Sequence, residues 1–171
     1  MIWILSQLKS LFKALNDGQT AKQLALGVVL GLFLGLPPFN IIVFLIVFLL
    51  LLIVNANITL SLLIMGLLKL VVGYIDPIAN KIGEIVLVDI TWLTGLWTWL
   101  YNLPIIPFSN FNNTVMMGSL TLAFILAFPI YLLSEFLIDQ YQKKYREKVM
   151  QLHVLKVLKA SKIVDFFSKL N

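Results

Sequence analysis

The sequence predicts an all-α integral membrane fold. About four hydrophobic helices are expected, the first two forming a hairpin broken by Pro37-Pro38, with an amphipathic helix at each end. Three observations lead there. Residues 23–54, QLALGVVLGLFLGLPPFNIIVFLIVFLLLLIV, contain no charge at all. Hydrocarbon solvates such a run on every side, whereas a soluble core cannot cover it. The chain as a whole is 60% hydrophobic and 12% charged, against roughly 25% charged in ordinary soluble domains. Finally, the charges segregate. Residues 1–22 carry three Lys and one Asp, and residues 139–171 carry eight Lys or Arg against three acids, while residues 76–113 carry one Lys against three acids. The positive-inside rule then places both termini in the cytoplasm and the 76–113 loop outside.

The elements follow in order. Residues 1–18 repeat Ile2, Leu5, Leu8, Leu11, Phe12 and Leu15 at helical spacing, with Lys9 and Lys13 beside the stripe. This pattern suits an interfacial amphipathic helix, or else a helix packed under the bundle. It lacks the small-residue cleavage pattern of a signal peptide and is read as retained. The membrane domain spans 19–138, with hydrophobic segments at 21–36, 39–54, 58–75 and 114–133.

Segment 21–36 reaches only about 24 Å at 1.5 Å per residue, short of a ~30 Å hydrocarbon core. Gly27, Gly31 and Gly35 recur every four residues, which puts them on one face where a second helix can approach closely. With 39–54 as its other arm, the hairpin either spans thinly or is re-entrant with Pro37-Pro38 at its tip. Segment 58–75 is a clear spanning helix, with Gly66 and Gly73 inside it and Asp76-Pro77 expected to stop it. Its one charge, Lys69, either snorkels to the headgroups or pairs with Asp76, two turns along the same face, to flank a polar or lipid-phosphate site.

The 76–113 loop concentrates Trp92, Trp97, Trp99 and Tyr101, which suits the headgroup level. Pro104 and Pro107 keep its second half from regular helix. Segment 114–133 has Gly118, Ser119, Ala123 and Ala127 as small contact points, and Pro129 within it. Residues 139–171 form a basic amphipathic helix on the cytoplasmic side, suited to anionic lipid or to a protein. Nucleic acid is not expected there, because an apolar face runs along the helix and the tail is tethered to a membrane.

Several chemistries are excluded. There is no Cys and one His, so no thiol chemistry and no multi-His or Cys metal site lies within the chain. No cofactor motif is present, and no carboxylate pair sits inside an apolar segment. Ser61, Ser119 and Thr121 are expected to bond back to their own helix backbone. Without a catalytic constellation the chain is not expected to be an enzyme.

Two stretches resemble known bacterial membrane proteins. GLFLGLPPFNIIVFLIVFLLLLIVNANITL resembles the glycine-spaced helix, proline break and apolar helix of a bacterial "domain of unknown function" membrane family. YNLPIIPFSNFNNTVMMGS, with Tyr101, Asn102, Leu103, Pro104, Pro107, Phe111, Asn112, Asn113, Thr114 and Gly118, resembles a small inner-membrane branch related to it. That branch is often encoded beside a large envelope protein similar to AsmA-type lipid-transport bridges. The resemblance implies an inner-membrane subunit partnering such a periplasmic protein in lipid transport or homeostasis. Partner or lipid contacts are then expected at Trp97, Tyr101, Asn102, Pro104, Asn112, Asn113, Lys69 and Asp76. Packing or hairpin roles are expected for Gly27, Gly31, Gly35, Pro37, Pro38 and Gly118. The competing readings are a small autonomous transporter or channel and a structural scaffold. No internal repeat favours the transporter, and oligomeric state is left open.

Overall fold

The computed structural model describes residues 18–145. Among these the secondary structure is entirely helical, and asparagine sets most of the helix starts. Helix α1, Ala21–Gly35, begins at a capping box: Thr20 accepts from the Gln23 backbone N–H, and Gln23 Oε1 accepts from the Thr20 N–H. Helix α2, Ile41–Ile53, is capped by Asn40, which accepts from the N–H groups of Ile42 and Val43. Helix α3, Ile58–Glu84, is capped by Asn57, and α5, Thr114–Gln140, by Asn113. Each amide oxygen satisfies one or two of the N–H groups a helix start leaves unpaired. Between α3 and α5 lie a π-helical turn at Ile85–Asp89, short 3-10 turns at Thr91–Leu93 and Ile106–Ser109, and the eight-residue α4, Thr94–Tyr101. The two tight reversals at Asn55 and Asn110 use left-handed backbone, φ 51° and 56°, which asparagine tolerates better than most residues.

Helices α3 and α5 are long and apolar enough to cross a membrane by length and composition; α1 and α2 are shorter apolar helices. At 1.5 Å per residue, α3 and α5 run about 40 Å, against about 22 Å for α1 and 20 Å for α2. The glycine face of α1 sets the central packing. A Cβ on Gly27 would stand 2.8 Å from the Asn57 carbonyl oxygen, one on Gly31 2.7 Å from Ile64 Cβ, and one on Gly35 2.7 Å from Leu68 Cδ1. The partners advance in step, so α1 and α3 run parallel with their backbones nearly touching. Ser61 Oγ crosses this seam and donates to the Gly27 carbonyl at 2.6 Å. It thus bonds to the neighbouring helix and not to its own turn. Thr121 does bond back, to Met117 O at 2.8 Å.

Helix α5 runs antiparallel to both. Ile138 packs with Leu24 and Leu60 at one end, and Ala123 packs with Leu32 and Leu36 further along. At the other end Gly118 lies against the Ala79 carbonyl and Gly83 against the Thr114 carbonyl, each with no room for a side chain. Gly66 and Gly73, by contrast, face open space. Helix α2 lies on the outside of α1, burying Val47 and Leu51 and leaving Ile41, Leu45, Ile46, Leu49 and Ile53 exposed.

Two boundaries differ from the sequence reading. Asp76-Pro77 does not stop α3, which continues through Pro77 to Glu84. The proline removes only the bond to the Gly73 carbonyl, four residues back. The 76–113 loop is therefore helix up to residue 84, and much of the remainder is short helical turns. Likewise α5 passes Leu133 and Pro129 to reach Gln140, followed by a π-helical turn at Tyr141–Tyr145. The expected helix at 1–18 and the basic tail beyond residue 145 lie outside the described residues.

Candidate functional site

The hairpin turn between α1 and α2 is tied to both α3 and the outer loop. Pro37 is buried and its carbonyl accepts from Lys69 Nζ at 2.5 Å. Three residues on, Asn40 caps α2 with its oxygen while its Nδ2 donates to Phe108 O at 2.8 Å. Phe108 belongs to the 3-10 turn before α5, so the outer loop folds back onto the hairpin tip. Lys69 stands about 17 Å along α3 from Ile58, which places the tip near the middle of the long helices.

The loop is held in that position by aromatic packing. Trp97 Nε1 donates to Val86 O at 3.0 Å, which ties α4 to the turn after α3. The rings of Trp97 and Tyr101 both lie beside Phe111, with centroids 6.3 and 6.4 Å away. Phe111 is a buried anchor of this loop. On the far side, Trp92 and Trp99 are 80% and 60% exposed.

Two cavities flank the loop. One, about 450 Å³, lies between the hairpin tip and the loop and is lined by Pro38, Phe39, Asn110, Asn112, Asn113 and Met116. The other, about 340 Å³, lies on the α4 side, where Trp97, Tyr101, Asn102 and Phe111 contribute walls together with Thr94 and Thr98. Asn112 lines both. Among the described residues, the side chains of Asn110 and Asn112 make no hydrogen bond to the protein. Asn113 uses only its oxygen, on the α5 cap.

The residues expected to act are thus partly gathered. Trp97, Tyr101, Asn102, Asn112 and Asn113 all contribute to these cavities. Asn102 also donates to Thr98 O at the end of α4. Pro104 is exposed and lines neither cavity. Lys69 and Asp76 form no ion pair; the ammonium is spent on Pro37, and Asp76 stays half-buried on α3. At Gly27, Gly31, Gly35 and Gly118 a Cβ would press on the neighbouring helix.

Two residues escaped the sequence reading. Asn40 bridges hairpin and loop, and its signal was present: an asparagine directly before an apolar helix is a cap. Gly83 is the other; its partner lies on a helix more than thirty residues away, and no local spacing announces it.

No curated protein and no solved structure matches the chain. A family model described as "Uncharacterized protein conserved in bacteria (DUF2062)" matches residues 7–147. That match covers the hairpin, both long helices and the folded-back loop, and the chain belongs to this uncharacterised bacterial family.

Proposed function

We propose that this chain is an inner-membrane subunit of an envelope lipid-handling assembly, in which it presents lipid to a periplasmic AsmA-like partner. The observation that carries the reading is the asparagine-lined cavity at the hairpin tip. It is polar, of about 450 Å³, and lies between the hairpin tip and the start of α5, a helix of membrane-crossing length. Exposed aromatic side chains stand at its edge: Phe39 lines it, and Phe108 is joined to the hairpin tip through Asn40. A polar chamber with an apolar rim accommodates a headgroup inside and acyl chains outside.

In this reading α3 and α5 span the bilayer, with both termini cytoplasmic by charge placement. Helices α1 and α2 are a re-entrant hairpin, since each is shorter than the ~30 Å hydrocarbon core. Irregular backbone at that depth needs internal partners, and Lys69 and the loop supply them to Pro37 and Asn40. The exposed Trp92 and Trp99 face outward from the loop and form the docking surface for the partner.

The test is a pull-down of the tagged chain in mild detergent, with mass spectrometry of co-purifying proteins and lipids. A stoichiometric large periplasmic protein, lost on substitution of Trp92 and Trp99, supports the assembly. Recovery of the chain alone overturns it. Uptake of solute by proteoliposomes holding this chain alone would favour the transporter instead.

A further inference from the structure

Both cavities lack charge, and that narrows the ligand. Neither is lined by Lys, Arg, Asp or Glu. A phosphate or an ammonium seated in either one would meet no counter-charge from its lining. The lining offers amides, hydroxyls and aromatic rings instead. Asn112 stands between the two spaces, with both halves of its amide unused by the described protein. Tyr101 and Trp97 turn toward the α4-side cavity, and the indole N–H of Trp97 is already engaged on Val86, which fixes its ring plane. Amides supply paired donors and acceptors to hydroxyls, and fixed aromatic rings supply an apolar platform with a polar edge.

From this lining we infer that the paired cavities bind a neutral, polyhydroxylated group: the sugar of a glycosyl-diacylglycerol, and not the phosphate of a phospholipid. The inference rests on the lipid-handling reading and names the headgroup class for it. The lipid source is preferred to a free sugar because the chamber rim is apolar, at Phe39 and Phe108.

The experiment uses the full chain in lauryldimethylamine oxide, a detergent without a sugar. Equimolar glucosyl-diacylglycerol, phosphatidylglycerol and phosphatidylethanolamine with matched acyl chains are added, and native mass spectrometry counts the bound lipid. The glycolipid is expected in about tenfold excess over either phospholipid, the effect of one or two net hydrogen bonds. Asn112→Leu should bring the three to parity, and Asn112→Gln, which keeps the amide, should retain much of the preference. Tyr101→Leu, at a second exposed position, should also reduce it. Equal binding, a preference for either phospholipid, or a glycolipid preference that survives both leucine variants would overturn the inference. Displacement by excess methyl glucoside supports the sugar site and assigns the free sugar as a source; resistance to it supports the lipid. The partner pull-down reads separately. A retained partner without glycolipid preference sinks only this inference, and a glycolipid preference without a partner sinks only the assembly.

Discussion

Lys69, the one charged residue in the apolar stretch of α3, donates from its ammonium to the carbonyl of Pro37 across the α1–α3 seam. Pro37 is buried in the non-helical turn between α1 and α2, so its carbonyl has no intrahelical N–H to accept from. The lysine therefore satisfies a carbonyl that the turn leaves unpaired.

Replacing Lys69 with Met should leave that carbonyl unpaired. The expected loss is about 2 kcal/mol, the size of a charge-assisted hydrogen bond. Lys69→Arg should retain most of the stability. Reversible denaturant unfolding in detergent micelles, followed by circular dichroism, checks both. An unchanged midpoint for the Met variant would show that the bond contributes nothing.

Glycine substitutions should separate by the space each one faces. Gly31→Leu drives a side chain into Ile64 and Ser61 and should cost about 3 kcal/mol or prevent folding. Gly66→Ala meets open space and should be neutral or stabilising, by up to about 1 kcal/mol, because alanine favours helix. Thermal melting of the two variants side by side is sufficient.

The sharpest case is Gly83 with Gly118. A Cβ at either would overlap a carbonyl of the opposite helix, and backbone cannot rotate away as a side chain can. Gly83→Ala should cost about 3 kcal/mol or more, whereas Gly73→Ala in the same helix should not. Limited proteolysis of the α3–α5 end would report the parting of the helices.

These glycines also show what the sequence could reveal and what it could not. Gly27, Gly31 and Gly35 declare themselves because their spacing matches the helical repeat, and all three do pack. Gly66 and Gly73 stood out within the apolar segment, yet it is Gly83, beyond it, that meets another backbone, because that depends on where α5 crosses. Pro77 was read as a stop from its local chemistry; the apolar helix simply continues past it. The pairing of Lys69 with Asp76 looked natural on one helix, but the hairpin tip, distant in sequence, offered a nearer acceptor. Asn112 and Asn113 were visible as candidates, while the chamber they line exists only once the loop folds back.

The loop should loosen without taking the bundle with it. Phe111→Ala removes the ring that Trp97 and Tyr101 flank. Amide hydrogen exchange should accelerate by at least about tenfold over residues 94–113, with α1, α3 and α5 unchanged. Trp97→Phe, which loses only the bond to Val86 O, should show a smaller effect. Acceleration spread over all helices would mean that the loop and bundle unfold together.

The chain has no cysteine, so single cysteines map its placement directly. With a re-entrant hairpin, Asn55→Cys should react with a membrane-impermeant maleimide only from the cytoplasmic side, and Asn110→Cys only from the periplasmic side. Labelling of Asn55→Cys from the periplasmic side, or of Asn110→Cys from the cytoplasmic side, would overturn this placement.

The bond between Asn40 and Phe108 joins residues 68 positions apart. During synthesis the hairpin tip is made long before the loop that closes over it. At about 5–20 residues per second, the delay is roughly 3–14 s. Over that interval Asn40 has no Phe108 to meet, so the nascent hairpin needs water, the insertion machinery or a chaperone beside its tip. A chain that stalls before the loop emerges is a natural target for quality control.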